Sequence, residues 1–496
     1  MIHYIGHPDL KFTEDKDDWA NMDQAVHYLS QCNVIAVDTE TEGMDFTCKK
    51  MIMLQIGNEA HQWVIDVRCT DITPLKNILE DEIIVKILQN VKFDYKFIKK
   101  CGIDLVNVYD TYLAERVLNC GRKGIKYGLD ALVERYCGAT LDKSVRNQFI
   151  GLEGKPYTRS QIVYGAKDVE YLCEIRRGQA KEIRKHLLFN VVALESKAAL
   201  ALAEIEYNGL DLDRDKWLEI SVANENKATE YYNKLDNMVI NDPRLQSFVL
   251  KYIQGDLFTD QKELRKVGVN WDSPKQVLAV FKVIIPDLEN VNGKELYKHT
   301  SYGLVKKYVK YKEYMKLCTS YGKPFFKYFK SDNKIHTNFH QILDTGRISS
   351  SDPNMQQIPA NNVYRNCFIP PEGWVFVSSD YSSQELNVIA FGSKDPVWIE
   401  ALKQGQDLHS VCAELVYGDK WSKSAEDDCS YIVNKSKCNC PKHSKLRTNV
   451  KTINFGLAYG MGPHKLADTL NISMQDAKDL IKVYFAAFPA IGGFLN

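Results

Sequence analysis

Two acidic side chains at short spacing mark the first segment of the chain that could carry out chemistry. Asp38 and Glu40 end the apolar run NVIAVDTE, whose composition predicts a β-strand. Side chains two residues apart on a strand project from the same face, so both carboxylates can reach one hard cation such as Mg²⁺. The pair alone is weak evidence, because many strands end in acids beside a loop.

Two further polar pairs follow at a spacing of four residues. Asn90 and Asp94 lie in LQNVKFDYKF, and Tyr164 and Asp168 lie in YGAKDVEYL. On a helix, residues four apart share a face, so each pair can project into one site. The alternative is a set of surface acids scattered by chance.

Taken together, DTETEG, N-x-x-x-D and Y-x-x-x-D resemble the three exonuclease motifs of the DEDD superfamily, in its tyrosine-containing subtype. The resemblance implies an RNase H-like 3′→5′ exonuclease domain over residues 1–185, with Tyr164 orienting the attacking water and Asn90 contacting DNA. Two Mg²⁺ ions in such a site activate the nucleophile and stabilise the leaving oxygen. The resemblance assigns these metals to Asp38, Glu40, Asp94 and Asp168.

A second constellation lies near the end of the chain, in RTNVKTINFGLAYGMG. Arg447, Lys451, Phe455 and Tyr459 recur every four residues and would form one stripe along a helix. Two cations and two aromatic rings on one stripe suit a nucleoside triphosphate. The alternative is an ordinary helix with a basic and aromatic face.

Three segments resemble, in the same order, those of family A DNA polymerases, the bacterial DNA polymerase I type. They are DTGRISSSDPNMQQIP, VFVSSDYSSQELNVIAFG (motif A) and the 447–462 segment (motif B). The resemblance implies that a strand delivers Asp380 to the catalytic metals, with the Tyr381 carbonyl nearby. Glu385 would crowd the 2′ position of the incoming sugar, while Arg347 and Gln356 would contact the minor groove of the primer–template.

The same resemblance assigns roles along motif B. Arg447 and Lys451 would meet the phosphates, with Lys451 also catalytic. Phe455 would pack on the sugar, and Tyr459 would lie near the templating base pair. A histidine in the family's D-x-H position lies near the triphosphate, which makes His409 a binding candidate; otherwise His409 is a structural or capping residue.

An insertion over residues 418–446 departs from the family pattern. It contains Cys429, Cys438, Cys440 and His443 within fifteen residues. Three thiols and an imidazole can close a tetrahedral structural Zn²⁺ site. The spacing is not a standard C-x-x-C pair, so a polar surface loop with reduced cysteines is the alternative.

The length of 496 residues indicates several domains, and the elements favour an α/β fold class. After the exonuclease domain, the resemblance predicts a partial right-hand polymerase: a helical thumb (186–340), a partial palm with motif A (341–400) and fingers with motif B (401–496). The stretch 301–330 holds eight lysines, one acid and six tyrosines, a composition that can neutralise phosphates and offer rings for packing or stacking. An amphipathic helix with a solvated lysine face is the alternative.

The third family motif, a His-Asp-Glu turn called motif C, is absent from the sequence. We therefore expect that this is the N-terminal part of a DNA-directed DNA polymerase and that polymerisation needs a missing C-terminal part. Either the enzyme is split and phage-like, with a second polypeptide supplying motif C, or the sequence is an incomplete reading frame. The other expected partners are DNA primer–template and dNTPs. A stand-alone DEDD exonuclease with a C-terminal DNA- or nucleotide-binding region, or a non-catalytic assembly subunit, are the alternatives.

Composition excludes some classes and leaves others open. The sequence has no apolar run of membrane-spanning length and no secretory signal, so no membrane association is expected. Thirteen cysteines, an odd number, favour reduced thiols and a cytoplasmic location. Lys plus Arg equals Asp plus Glu at 64 each, so net charge gives no support to nucleic-acid binding.

Overall fold

The computed structural model describes residues 1–6, 19–141, 144–149, 151–152, 154–254, 262–426, 429–438 and 440–495. The chain divides into two compact units, Met1–Phe376 and Val377–Asn496. The boundary between them falls inside the predicted palm. The finer division into exonuclease, thumb, palm and fingers stays a prediction.

A six-stranded mixed sheet organises the N-terminal part of the first unit. Its spatial order is β1-β4-β3-β2-β5-β6, with β2, β3 and β4 antiparallel and the outer strands parallel to their neighbours. The strands are β1 (Ile2–Ile5), β2 (Val34–Thr41), β3 (Met51–Gly57), β4 (Gln62–Asp66), β5 (Val85–Leu88) and β6 (Val108–Asp110).

The two strands predicted from NVIAVDTE and KKMIMLQIG are confirmed as β2 and β3. All seven residues of β3 are buried, as expected for a central strand covered on both faces. On β2 the register pairs Asp38 with Gln55 and Glu40 with Met53, so both acids lie on one face at the end of the strand. The sheet therefore presents the first acidic pair near the C-terminal end of β2, one of its interior strands.

Helices cover the sheet and continue beyond it. Asn21 and Thr158 begin two of them with capping boxes, in which the side chain of the third helical residue also binds back to the cap. The helices of this part are α1 (Met22–Leu29), α2 (Lys76–Leu79), α3 (Val91–Lys100), α4 (Thr111–Leu118), α5 (Leu129–Cys137), α6 (Arg159–Glu170), α7 (Leu172–Lys185) and α8 (Phe189–Asn208).

The rest of the first unit is largely helical, as predicted. It comprises β7 (Asp211–Leu212), α9 (Arg214–Asn241), β8 (Val249–Gln254), β9 (Lys262–Val267), α10 (Pro274–Ile284), α11 (Gly293–Lys298), α12 (Gly303–Tyr321), β10 (Asn338–His340), β11 (Ser349–Ser351), α13 (Asn362–Arg365) and β12 (Phe368–Ile369). The antiparallel hairpin of β8 and β9 was not predicted. The strand predicted from KIHTNFHQI shortens to the three residues of β10, paired with β11.

The lysine–tyrosine stretch folds mainly as α12, and three of its six tyrosine rings pack in the core. Tyr308, Tyr311 and Tyr321 are buried in the core rather than free to stack on bases. Lys306 and Lys316 are exposed on the other side of the helix. Tyr308 and Tyr311 pack against rings of the neighbouring helices α9 and α10, whereas Tyr302, directly before the helix, is 42% exposed. The exposed lysines of the helix are available to phosphates.

The second unit is helical around one apolar core. Its helices are α14 (Gln384–Ser393), α15 (Pro396–Lys403), α16 (Leu408–Tyr417), α17 (Asp419–Ser422), α18 (Ser430–Asn434), α19 (Pro441–Ala458), α20 (Pro463–Leu470), α21 (Met474–Ala487) and α22 (Pro489–Leu495). Arg447, Lys451 and Phe455 of motif B therefore lie on one helix, α19, as their four-residue period predicts, and Tyr459 follows directly after its last residue.

The predicted motif A strand is wrong for this structure. Residues 375–381 have no regular secondary structure, and Val375 and Val377 are 79% and 88% exposed. A strand is stable only when a neighbour pairs with its backbone, and no described strand pairs with this segment. The apolar pattern is that of a strand, yet it lacks a partner within the described part of the chain.

Within the described ranges, the structure contains no helix that is both long enough and apolar enough to span a membrane.

Candidate functional site

The first site is a cleft of about 740 Å³ in the first unit, at the C-terminal ends of β2, β5 and β6. Asp38 and Glu40 reach it from β2, and Asp168 reaches it from α6. One carboxylate oxygen from each of the three lies within 4.8 Å of the others. Three like charges at this distance repel each other unless a cation lies between them, so the donor set suits a hard divalent ion.

Helix α6 carries Tyr164 and Asp168 into the same cleft, as their spacing predicts. Close packing against β3 fixes the position of this helix. A Cβ on Gly165 would lie 2.8 Å from Gln55 Nε2 and 3.1 Å from Met53 Sδ. The absence of a side chain at Gly165 therefore allows the helix to approach the strand closely enough for its acid to join those of β2.

Asp94 lines the cleft but does not belong to the three-carboxylate group. Its Oδ1 accepts a hydrogen bond of 2.7 Å from the hydroxyl of Thr39. Burial raises the pKa of the Asp94 carboxyl above its ordinary value, against the hydrogen bond from Thr39 that lowers it. The structure thus places all four predicted acids and Tyr164 around one cleft, with Asp94 held slightly apart.

Asn90 begins α3 in the left-handed conformation, with φ 66°. Its backbone N–H donates to Asp110 Oδ1 at 3.0 Å, and the N–H of Val91 donates to Oδ2 at 2.9 Å. Asp110 also caps α4 through the N–H groups of Tyr112 and Leu113. This buried carboxylate fixes the start of two helices beside the cleft, and the sequence motifs did not point to it.

Glu206 is a second residue that the motifs missed, and it borders the cleft from α8. Its carboxylate is 1% exposed and forms ion pairs with Lys92 and Lys96 of α3. It also accepts a hydrogen bond of 2.7 Å from the backbone N–H of Phe339 on β10. Glu206 therefore joins the exonuclease-like part to the β10–β11 hairpin, whose residues His340 and Ser351 also line the cleft.

Substituting Glu206 with Ala is expected to lower the free energy of unfolding by about 3–5 kcal/mol, because it leaves two largely buried lysines without their shared partner. Burial raises the pKa of Glu206, but Lys96 and Lys92 outweigh burial and lower it below its ordinary value. A lowered carboxyl pKa stabilises the fold above the unfolded-state pKa, and this contribution is lost as the pH falls through the folded-state pKa.

Urea titrations at neutral and acidic pH measure this effect. The matched control is Glu219→Ala, which removes an exposed glutamate of α9 and should change the unfolding free energy by less than about 0.5 kcal/mol. Equal losses for both variants would contradict the role assigned to Glu206.

Arg347 and Gln356, the predicted minor-groove contacts, lie on either side of β11. The amide of Gln356 donates to the carbonyl of Ile348 at 3.2 Å, and its backbone N–H binds the side chain of Asn354 at 3.1 Å. Neither residue lines the cleft of the first unit. Their assignment to DNA stays a prediction.

The second site is a cleft of about 400 Å³ along α19 in the second unit. Lys451, Phe455 and Tyr459 line it, as the four-residue stripe predicts. Lys465 of α20 adds a second cation that the motif did not include. The cleft combines cationic ammonium groups, which can bind phosphates, with an exposed aromatic ring, which can pack on a base or a sugar. This combination suits a nucleotide.

Arg447 occupies a different place from its neighbours on the stripe. Its Nε and Nη2 each donate to the carboxylate of Asp407 at 2.7 Å, a bidentate pair. Asp407 also caps α16, because it accepts hydrogen bonds from the N–H and hydroxyl of Ser410. Two of the guanidinium donors thus tie α19 to the start of α16, and the predicted contact of Arg447 with phosphates stays untested.

His409 is buried between α16 and α19. Its Nδ1 accepts a hydrogen bond of 3.1 Å from the side-chain amide of Asn454, and its ring centroid lies 5.7 Å from that of Phe455. Burial, and then the charge of Arg447, lower the pKa of His409 to about 4. A neutral imidazole at pH 7 therefore supports the aromatic ring of the stripe from behind.

Of the two acids of motif A, Glu385 lies beside the stripe, whereas Asp380 does not line the α19 cleft. The hydroxyl of Tyr459 donates to Glu385 Oε1 at 2.6 Å, so these two predicted nucleotide-binding residues are in contact. Asp380 and Tyr381 lie in the exposed segment without regular structure and do not line the α19 cleft. The structure brings together most of the predicted nucleotide-binding residues without placing the predicted metal ligand among them.

The insertion is the third predicted site. Its two short helices, α17 and α18, precede α19, so it is not the polar surface loop of the alternative interpretation. The structure brings its four candidate ligands together and buries all of them: Cys429, Cys438, Cys440 and His443.

The carboxylate group of the first unit suits a divalent metal ion, and the basic and aromatic cleft of the second unit suits a phosphorylated ligand. Together they indicate an enzyme that acts on nucleotides or nucleic acids at two separate sites. Residues 15–184 match the family model for 3′-5′ exonuclease, and residues 260–496 match that for DNA polymerase family A. The chain belongs to DNA polymerase family A and carries a 3′-5′ exonuclease domain.

Curated relatives are similar over most of the chain. DNA polymerase I of Aquifex aeolicus is 27% identical over 94% of this chain and 76% of its own length. DNA polymerase I of Borreliella burgdorferi is 25% identical over 96% of this chain and 50% of its own length. That of Helicobacter pylori is 35% identical over 47% of this chain, but only 25% of its own length is covered. The chain thus spans from a quarter to about three quarters of these relatives.

A solved structure has the same fold. The POL domain of Pol1 from M. smegmatis, in complex with DNA primer-template and dNTP, superposes with a TM-score of 0.72 at 21% identity. The match covers 99% of this chain and 77% of that one.

Proposed function

We propose that this chain is a DNA-directed DNA polymerase with 3′→5′ proofreading exonuclease activity, and that the cleft of the first unit removes nucleotides from DNA 3′ ends. The observation that carries the exonuclease proposal is the approach of three carboxylates from two separate elements to within 4.8 Å, beside Tyr164. The family matches over both units support the same function.

The donor set at the cleft fits Mg²⁺, because it offers carboxylate oxygens only. Asp38, Glu40 and Asp168 would hold the ion, and Asp94 would join them. When bound, Mg²⁺ supplies charge stabilisation to a phosphoryl displacement and lowers the pKa of a water. Tyr164 lies on the same helix face as Asp168, where its hydroxyl can orient a water beside the scissile phosphate.

The β10–β11 hairpin gives the cleft a second wall. His340 and Ser351 line the same cleft as the acids, and Nε2 of His340 lies 2.8 Å from the Ser351 hydroxyl. Glu206 fixes this wall to α3. A single strand entering the cleft would therefore lie between the acids of the sheet and the polar hairpin, while the exposed lysines of α12 are free to meet phosphates of the duplex.

In the second unit, we propose that the α19 cleft binds a dNTP. Lys451 would meet the phosphates, and Lys465 adds charge of the same sign. Phe455 would pack on the sugar, with Tyr459 and Glu385 beside it. Asp380, with the backbone of Tyr381, is proposed as the carboxylate that binds Mg²⁺ for nucleotide addition, and Arg347 and Gln356 as primer–template contacts.

The partners proposed for this chain are DNA primer–template and dNTPs. The expectation of a missing motif C is not confirmed by the family match, and the comparisons give no support to a second polypeptide or to a phage origin. Those three points stay predictions, as does a cytoplasmic location. The thirteen cysteines are all free, which agrees with reduced thiols.

A gel assay of the purified chain on an end-labelled primer–template with Mg²⁺, with and without the four dNTPs, tests the proposed function. We expect the primer to shorten when dNTPs are omitted and Mg²⁺ is present, and to stay intact when Mg²⁺ is chelated. Extension in the lane with dNTPs would show that this chain polymerises DNA by itself. An intact primer in every lane would overturn the exonuclease assignment.

A further inference from the structure

We propose that Cys429, Cys438, Cys440 and His443 bind a structural zinc ion at the start of the motif B helix. One ligand atom from each of the four lies within 4.8 Å of the others. Three sulfurs and one ring nitrogen form a donor set that zinc binds in closed, four-coordinate structural sites. The site is separate from both clefts described above and needs neither of their activities.

The distances within the group are close to those of a tetrahedral site. Sγ of Cys429 and Sγ of Cys438 lie 3.4 Å and 3.3 Å from Nδ1 of His443. With ordinary zinc–sulfur and zinc–nitrogen bonds, a sulfur and a nitrogen ligand lie about 3.6 Å apart. The side chains thus already converge on one point, with only small adjustments needed to accept the ion.

The far side of the His443 ring fixes which nitrogen faces the thiols. Nε2 lies 2.7 Å from the backbone carbonyl of Trp421, which can only accept, so Nε2 carries the proton. In the tautomer with its proton on Nε2, the ring presents the Nδ1 lone pair to the two sulfurs. A carbonyl that orients a histidine through its other nitrogen is the usual support of a zinc-bound imidazole.

Packing holds the histidine ring in this orientation. The indole of Trp421 stacks on it with ring centroids 3.9 Å apart and planes 5° from parallel. All four side chains are buried, with His443 at 0% and no cysteine above 4% exposed. Without a metal ion, these buried groups are poor hydrogen-bond partners for one another. The single lone pair of Nδ1 can accept from only one of the two nearby S–H groups, and an S–H group is a weak donor.

The sequence around the group balances its charge. Zinc with three thiolates carries a net charge of about −1. Cys440 caps α19 at its N-terminus, where the backbone N–H groups favour negative charge. Lys437 and Lys442 flank the ligands in sequence and are exposed. The ion would join α18 and the segment after it to the first turn of α19, which carries the nucleotide-binding stripe farther along.

Metal analysis of the full chain, purified without chelator from zinc-supplemented medium, tests the proposal. We expect about one zinc per chain, falling at least about tenfold in Cys438→Ala. The matched control is Cys412→Ala, which removes another buried cysteine of the same unit that lies outside the group. This control should keep its zinc.

Cobalt substitution keeps the test independent of how well the Cys438 variant folds. After zinc is removed from the unmodified chain, added Co²⁺ should give the visible absorption of tetrahedral cobalt with thiolate ligands. Failure to find either zinc or this absorption would overturn the proposal. So would equal zinc loss in both alanine variants, or thiol counting that shows a disulfide within the group.

Discussion

Asp38→Ala is expected to abolish the shortening of single-stranded DNA from its 3′ end, with a loss of at least about a thousandfold in rate. Asp38 supplies one of three carboxylates that approach within 4.8 Å. Its removal leaves two acids to hold a cation that needs more ligands, so the charge developing on the phosphate loses its stabilisation. The measurement is the rate of shortening of a labelled single strand in Mg²⁺.

Stability separates this effect from a folding defect. Thermal unfolding of both proteins without Mg²⁺ is the measurement, and we expect Asp38→Ala to be folded at the temperature of the activity assay. Asp23→Ala, which removes an exposed acid of α1, is the matched control and should keep full activity. Undiminished shortening by the Asp38 variant would place the active site elsewhere.

Local periodicity explains why this site could be predicted from the sequence. Asp38 and Glu40 share a strand face because strand side chains alternate, and Tyr164 and Asp168 share a helix face because four residues make about one turn. The resemblance to known motifs then joined these pairs. Their approach to one another depends on sheet order and on the absence of a side chain at Gly165, neither of which the spacing contains.

Residues that act across elements could not be predicted in this way. Glu206 sits in an amphipathic helix like many other glutamates, and its importance comes from lysines more than a hundred residues earlier and a hairpin more than a hundred residues later. Asp110 likewise lies in no motif. An acid directly before a helix is a capping signal, which predicts its cap of α4 but not its hydrogen bonds to the start of α3.

One error and one open alternative have the same physical origin, because a sequence pattern does not specify its tertiary partner. The run WVFVSSD has the composition of a strand, yet it forms none where no described strand pairs with it. The tyrosines of α12 are compatible with core packing or with stacking on bases, and Tyr308 and Tyr311 pack in the core. Composition predicts what a segment can do, and tertiary contacts decide which of these it does.

The largest effect expected in the second unit is on nucleotide binding, where Lys451→Ala should weaken the affinity for a dNTP by at least about tenfold. A hydrogen bond to a charged group contributes about 1.5–3 kcal/mol, and about 1.4 kcal/mol corresponds to a factor of ten. Lys451 lines the α19 cleft beside Phe455, where a triphosphate and its sugar would lie. Equilibrium binding of a labelled dNTP to the chain measures the loss.

Lys445→Ala is the matched control, because this lysine is exposed on the same helix but does not line the cleft. It removes the same charge six residues earlier and should change the affinity less than about twofold, through long-range electrostatics alone.

Lys451→Arg should retain part of the affinity, since the charge is kept while its geometry changes. The shortening of single-stranded DNA is an internal check, because every acid assigned to it lies in the first unit. Equal affinities for Lys451→Ala and Lys445→Ala would reduce the stripe to an ordinary basic helix face and remove the proposed dNTP site.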